Sequence, residues 1–254
     1  MQTQRPFLAN KTLNVAHRGF KVTAPENSLA AFNAAVELGV DGIELDVRTC
    51  KSGEVVVFHD PILARMTNGR GFVKNKTLAE LKRLRIKSAN PELDERIPTL
   101  AELIEQVRGK VFLNVEIKTN GLPKNHFEEK VVAILRQYGI EYQTIISSFN
   151  PIVLRRIRKI DDQIITGYLI EKNFSVRNSE IPMTKLAGAK AIHLEKTLAK
   201  EKLIKKMRDR GMYSVVWTVN DPELMKQFLK LRVHAIITDR PDLLKRLNSR
   251  PTHV

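Results

Sequence analysis

Eight short runs rich in β-branched residues recur along the chain, and amphipathic segments fill the intervals between them. The runs are 14–18 (NVAHR), 42–47 (GIELDV), 111–117 (VFLNVEI), 144–148 (TIISS), 164–169 (IITGYL), 190–194 (KAIHL), 213–218 (YSVVWT) and 235–238 (AIIT). Between them, apolar residues fall at helical spacing: Leu29, Phe32, Ala35 and Val36 share one face, as do Phe127, Val131, Ile134 and Tyr138. Helix starts are marked too. Thr99 and Glu102 make a candidate capping box ahead of the stripe Leu103, Ile104 and Val107. Asn150-Pro151 and Asp221-Pro222 each set a capping side chain before a proline suited to the first turn. Strand then helix, repeated, requires parallel strands joined by crossover helices. Eight repeats in 254 residues predict a single (β/α)8 TIM barrel spanning 1–254.

A hydrophobic fraction of 43% supplies a buried core and excludes a disordered or fibrous chain. No apolar stretch reaches the roughly 18–20 residues of a membrane-spanning helix. The opening MQTQRPFLANKTL lacks the apolar run of a secretory signal, and the single Cys50 cannot form an internal disulfide, so a cytoplasmic protein is expected. The charge is strongly basic, 43 Lys+Arg against 28 Asp+Glu, a formal +15. Its excess is spread out, part of it over Arg65 to Lys87 and part over Lys196 to Arg210, with no basic tail, zinc-finger spacing or aromatic-interleaved strand. A solvated basic surface is the expectation, with weak attraction to anionic membranes and no nucleic-acid partner.

One interval breaks the rhythm. The second run begins at residue 42 and the third only at 111, far more chain than one βα unit needs. The surplus opens with RTCKSGEVVVFHD, whose VVVF follows too closely for a parallel crossover and must fold back as a hairpin. With Lys51 to Glu54 as a four-residue loop, Cys50 pairs with Val55, Arg48 with Val57 and Asp46 with His59. Residues 60–97 then form a small insertion over the barrel mouth.

In such barrels chemistry sits at the carboxyl ends of the strands. Those ends carry His17-Arg18-Gly19, Glu44 with Asp46, His59-Asp60, Asn114 with Glu116 and Lys118, Ser147-Ser148-Phe149, and Trp217, Thr218 and Asn220. Glu44 and Asp46, two apart on a strand, share a face. Three carboxylates in one pocket cannot all stay ionised without positive charge, and a hard divalent cation with oxygen ligands, Mg²⁺ or Ca²⁺, resolves the repulsion. Arg18 and Lys118 offer forked and point-charge contacts to a phosphate. Two histidines give an acid–base pair near neutrality. The combination points to metal-assisted phosphoryl transfer.

The segments AHRGFKVTAPENSLAAFNAAVELGVDGIELDVRTCKSGEVVVFHD, LNVEIK and VVWTVN resemble the glycerophosphodiester phosphodiesterase family. Its motifs HRG, PEN followed by Ser, E-x-D and HD stand in order, and the resemblance covers essentially the whole chain. It implies a TIM barrel of the phosphatidylinositol-phosphodiesterase-like type carrying a small insertion. It further implies His17 and His59 as acid and base, Glu44, Asp46 and Glu116 as ligands of one divalent cation, and Arg18 and Lys118 as phosphate contacts. The expected reaction hydrolyses a small glycerophosphodiester to sn-glycerol 3-phosphate and an alcohol. Attack by water and attack by the glycerol 2-hydroxyl both remain open, as does the assignment of acid and base. A second reading is lysophospholipid cleavage at a membrane surface.

Other polar residues have plainer expectations. Glu26 fixes the loop after the first strand, Asp60 is structural, and Asp239 caps the helix beginning near Pro241. Trp217 either lines the substrate pocket or packs in the core, Phe149 belongs to the core, and His193 and His234 are structural.

Overall fold

The computed structural model describes residues 6–7, 11–119, 126–172 and 187–248. In chain order the strands are β1 (Leu13–His17), β2 (Gly42–Thr49), β3 (Val55–Val57), β4 (Phe112–Ile117), β5 (Thr144–Ser148), β6 (Ile165–Ile170), β7 (Ala191–Glu195), β8 (Tyr213–Trp217) and β9 (Ala235–Thr238). All but β3 pair in parallel. β1 bonds both β2 and β9, which closes eight strands into a barrel. Each of the eight expected runs lies within two residues of its strand. The outer layer contains α1 (Leu29–Leu38), α3 (Leu100–Val107), α4 (Phe127–Gln137), α5 (Pro151–Ile160), α6 (Glu201–Arg208), α7 (Pro222–Lys230) and α8 (Pro241–Asn248), while the short α2 (Leu78–Lys82) belongs to the insertion after β3.

The helix starts follow their capping residues. Thr99 and Glu102 form both bonds of a capping box on α3. The Asn150 side chain accepts from the Ile152 N–H, and that of Asp221 accepts from Glu223 and Leu224, each with proline in the first turn.

Alternation along each strand divides the core in two. Ile43, Leu45, Val47 and Val115 face outward and pack with Phe32, Leu103, Ile104 and Val131. Full burial of such side chains is worth about 1.5–3 kcal/mol each. Leu13, Val15, Ile145, Ile165, Ala191, Val215, Ala235 and Ile237 make a separate apolar cluster. On β1 and β8 the residues in phase with them at the carboxyl ends are His17 and Trp217, and β2 and β4 supply Glu44, Asp46 and Glu116.

The hairpin exists, but its register differs from expectation by one step. Val47 faces Val57, Arg48 faces Val56 and Thr49 faces Val55. The Cys50 N–H donates to Glu54 O, leaving Lys51, Ser52 and Gly53 as a three-residue loop. Gly53 adopts φ 99°, the left-handed position such a loop requires. Asp46 therefore pairs with Phe58, whose N–H donates to its carbonyl, rather than with His59. His59 still reaches the mouth, because Arg48 donates from Nε (2.8 Å) and Nη2 (2.6 Å) to its carbonyl just beyond β3. The excursion that follows packs Phe58, Leu63, Val73, Leu81, Ile86 and Ile97 into a small core of its own.

Candidate active site

The parallel register of β2 and β4 sets Glu44 beside Asn114 and Asp46 beside Glu116. Glu44, Asp46 and Glu116 are all buried, and one ligand oxygen from each lies within 4.8 Å of the others. The loop after β1 braces this triad. Gly19 takes φ 85° and lies so close to Ala31 of α1 that a β-carbon would collide with its backbone. Asn27 donates from Nδ2 to Asp46 Oδ2 at 2.8 Å, and Ser28 caps α1 by accepting from the Ala31 N–H. Arg18, Asn27 and Ser28 thus give the HRG and PEN-Ser segments their local purpose.

Two cations interleave with the acids. Arg18 Nε lies 3.1 Å from Asp46 Oδ2, and its Nη1 donates to Glu26 at 3.1 Å. Lys118 Nζ lies 3.1 Å from Asp46 Oδ1 and 2.6 Å from Glu116 Oε1. Glu26, expected to fix the loop after β1, accepts from Arg18 and also meets Arg65 of the excursion.

Both candidate histidines are held by a carboxylate at Nδ1. His17 Nδ1 lies 2.6 Å from Asp239 Oδ1, and His59 Nδ1 lies 2.6 Å from Asp60 Oδ1. A carboxylate accepts, so Nδ1 carries the proton and Nε2 is left for proton transfer. His17 Nε2 is 3.9 Å from Glu44 Oε2, turned toward the triad. A cavity of about 170 Å³ is lined by both imidazoles together with Arg18, Glu44, Glu116 and Lys118. Phe149 and Trp217 stand edge to face at 5.6 Å and form an apolar wall. Trp217 is thus a pocket residue, and Phe149 is one too, where core packing was expected.

Burial and neighbouring charge pull these groups apart. Burial raises Glu44 well above the usual carboxylate range, and repulsion from Asp46 and Glu116 adds to the rise. Glu116 is pushed up to about 7, chiefly by burial, with Lys118 opposing. For Asp46 burial also acts upward, but Lys118 and Arg18 outweigh it and hold the group well below the ordinary value. Burial lowers both His17 and His59, with their carboxylate partners acting the other way.

A model of the glycerophosphoryl diester phosphodiesterase family matches residues 17–243. The chain belongs to that family. It is 40% identical over 237 residues to a glycerophosphodiester phosphodiesterase of Caldanaerobacter subterraneus subsp. tengcongensis, covering 92% of this chain and 96% of that one. Among solved structures, a phosphodiesterase of Oleispira antarctica in complex with the product sn-glycerol-3-phosphate superposes with a TM-score of 0.82 at 28% identity. That match covers 91% of this chain and 94% of the other. The glycerophosphodiester phosphodiesterase of Thermotoga maritima gives 0.76 at 29% identity, covering 92% and 98%. Members of the family are enzymes, and its relatives name the reaction.

As a family member, the chain carries a donor set that fits a hard cation. Asp46 Oδ1 and Glu116 Oε1 are completely buried and meet Lys118 by charge, without hydrogen-bond geometry. Three carboxylates and no sulfur or imidazole ligand among the grouped residues suit Mg²⁺ or Ca²⁺.

All eight expected site residues converge: His17, Arg18, Glu44, His59, Glu116, Lys118 and Trp217 line the cavity, and Asp46 lies behind it against Arg18 and Lys118. The expectation for Asp239 is corrected. Its carboxylate does not serve the helix at Pro241 but takes His17, Lys21 (2.8 Å) and Asn220 (2.8 Å). A proline two residues on made capping the obvious reading, and only closure of the barrel brings β9 beside β1. Glu171, Leu169 and Ile237 also line the cavity without a signal in sequence. His193 and His234 stay outside it.

Proposed function

We propose that the chain hydrolyses small glycerophosphodiesters, such as glycerophosphocholine or glycerophosphoethanolamine, to sn-glycerol 3-phosphate and an alcohol, with His17 and His59 as acid and base. The observation that carries this reading is the pairing of two imidazoles, each held at Nδ1 by a carboxylate, on one cavity with three acids and two cations. The Oleispira relative with glycerol phosphate bound supports the same product.

The residues divide the work by chemistry. Glu44, Asp46 and Glu116 hold one divalent cation, Mg²⁺ or Ca²⁺, which when bound supplies Lewis-acid polarisation of a phosphate oxygen. Arg18 and Lys118 neutralise negative charge on the phosphoryl oxygens as the bond to the leaving group lengthens. One imidazole takes a proton at Nε2 from the nucleophile, and the other gives one to the departing alkoxide. Each such transfer is typically worth about 10²–10⁴-fold.

The test incubates the purified protein with glycerophosphocholine, with and without Mg²⁺ or Ca²⁺, and couples glycerol 3-phosphate release to a dehydrogenase. Turnover that needs the cation and collapses in His17→Ala and His59→Ala is expected. No turnover with either metal, or undiminished turnover in those variants, sinks the reading.

A second reading enlarges the substrate to lysophospholipids at an anionic membrane. Val22, Ile62 and Phe72 are 60%, 45% and 42% exposed on the loop after β1 and on the excursion. Lys74 sits 5.7 Å over the Phe72 ring, and the net charge is +15. Faster turnover of micellar lysolipid than of glycerophosphocholine, lost on replacing those three side chains by serine, favours this reading; the reverse preference removes it. No helix of the described residues is long and apolar enough to cross a membrane.

A further inference from the structure

Arg65 belongs to the excursion, and its side chain is 46% exposed. Its guanidinium nevertheless joins the two halves of the site. Nε pairs with Asp60 Oδ2, and Nη2 lies 2.6 Å from Glu26 Oε1. Each acid already holds a group at the cavity. Asp60 Oδ1 takes His59 Nδ1 at 2.6 Å, and Glu26 Oε1 takes Arg18 Nη1 at 3.1 Å. The contacts therefore run His59, Asp60, Arg65, Glu26, Arg18 without a gap, with acid and base alternating.

The placement of the acids gives this chain its point. Asp60 follows β3 and Glu26 lies in the loop after β1, and β2 stands between those two strands. A single rigid fork that engages both acids with different nitrogens fixes the separation of the loops that carry them. Arg18 also meets Asp46 of β2, and Arg65 adds the link that runs from it through Glu26 to the Asp60 that holds His59.

We infer that Arg65 is a positioning residue, the clamp by which the excursion sets the His59 imidazole and the Arg18 guanidinium relative to each other. The excursion is thereby part of the site's geometry as well as a cover beside it. Lysine at position 65 reaches one acid at a time and restores only part of the constraint. An exposed ion pair adds little to stability, so the clamp acts on geometry more than on folding. The kinetic arm of the test rests on the phosphodiesterase reading; the spectroscopic arm does not.

The experiment compares Arg65→Gln, Arg65→Lys and the parent, with Arg70→Gln, an exposed residue of the same excursion, as control. Melting curves confirm folding in each. With glycerophosphocholine, Arg65→Gln should lose about 10- to 100-fold in kcat, the scale that misplaced groups produce, with a smaller change in KM. Arg65→Lys should fall between, and Arg70→Gln should match the parent. Asp60→Asn in the Arg65→Gln background should cost less than in the parent, because both remove one linkage. Nitrogen-15 spectra at pH 8 should show His59 as the Nδ1–H tautomer in the parent and shifted toward Nε2–H in Arg65→Gln. A parental kcat in folded Arg65→Gln, or an unmoved His59 tautomer, overturns the inference. A parent that turns over no glycerophosphodiester defeats the proposed reaction, and the tautomer measurement then decides the clamp by itself.

Discussion

Asp239 Oδ1 lies 2.6 Å from His17 Nδ1, joining residues 222 positions apart at the seam where β9 meets β1. The same carboxylate accepts from Asn220 Nδ2 at 2.8 Å and pairs with Lys21 at 2.8 Å. Asn220 in turn accepts from the Asp239 N–H, so the end of β8 holds the end of β9. His17 thereby gains a fixed tautomer and a fixed ring plane. The Asp239 group is held well below the usual carboxylate range, since its bonds to His17 and Lys21 outweigh the effect of burial.

Replacing that acceptor tests its role. Asp239→Asn should lower kcat by about 10²-fold or more while KM moves little, because an amide no longer enforces the Nδ1–H form of His17. The melting temperature should change by only a few degrees, the group being part-exposed. Steady-state kinetics with glycerophosphocholine decide the matter; a kcat within threefold of the parent would show that Asp239 does not serve His17.

Protons and the cation should compete for the acidic triad. In the metal-free protein burial raises Glu44 well above its ordinary value and Glu116 to about 7, so Glu116 is about half protonated at pH 7 and Glu44 keeps protons above the usual carboxylate range. Binding a divalent cation displaces them, and affinity for Mg²⁺ or Ca²⁺ should therefore rise as pH rises from about 6 to 8. Titration calorimetry in buffers of different ionisation heat should record proton release. An affinity that is flat over that range contradicts the assignment.

The same shifts bear on stability. A carboxyl whose folded value is raised binds more protons folded than unfolded, and its stabilising effect is present below about 4.5 and lost as pH rises through the folded value. For Glu116 that window runs from 4.5 up to about 7. Metal-free protein should therefore melt lower at pH 8 than at pH 5.5, and added cation should raise the midpoint most at pH 8. Glu44→Gln removes one repelling charge while its side-chain oxygen still accepts from the Arg18 N–H (3.1 Å in the parent). In that variant the metal-free midpoint at pH 8 should rise by about 2–4 °C, and the response to cation should fade. A lower midpoint with an intact cation response counts against the triad.

Gly167 on β6 makes room for the His193 ring on β7, where any β-carbon would overlap the imidazole. His193 is wholly buried, both ring nitrogens lack hydrogen-bond partners among the described residues, and burial drives its pKa to about 3. Gly167→Ala should cost about 1–3 kcal/mol in urea unfolding, and pairing it with His193→Ala should recover part of the loss. Additive losses would mean that the two sites do not share this space.

Much of the architecture is legible in the order of residues along the chain. Local periodicity and capping chemistry depend on residues a few positions apart, so the eight strands and the starts of α3, α5 and α7 follow from neighbours in the chain. The acids of the triad were legible for a similar reason: Glu44 and Asp46 share a face by strand geometry, and polar residues at strand ends stand out against an apolar barrel. The hairpin register was less legible, because Gly53 permits a three-residue loop as readily as a longer one and only the Cys50–Glu54 backbone bond chooses.

By itself, then, the sequence determined a parallel eight-stranded barrel, its inward acids and the two imidazoles that face them. Tertiary structure alone decided who holds those imidazoles and how tightly the acids crowd. Asp239 becomes a partner of His17 only because β9 closes against β1, and Arg65 meets Glu26 only because the excursion folds back over the loop after β1. Contacts of that kind depend on closure over long stretches of chain, and local side-chain preferences carry no record of which distant group will arrive.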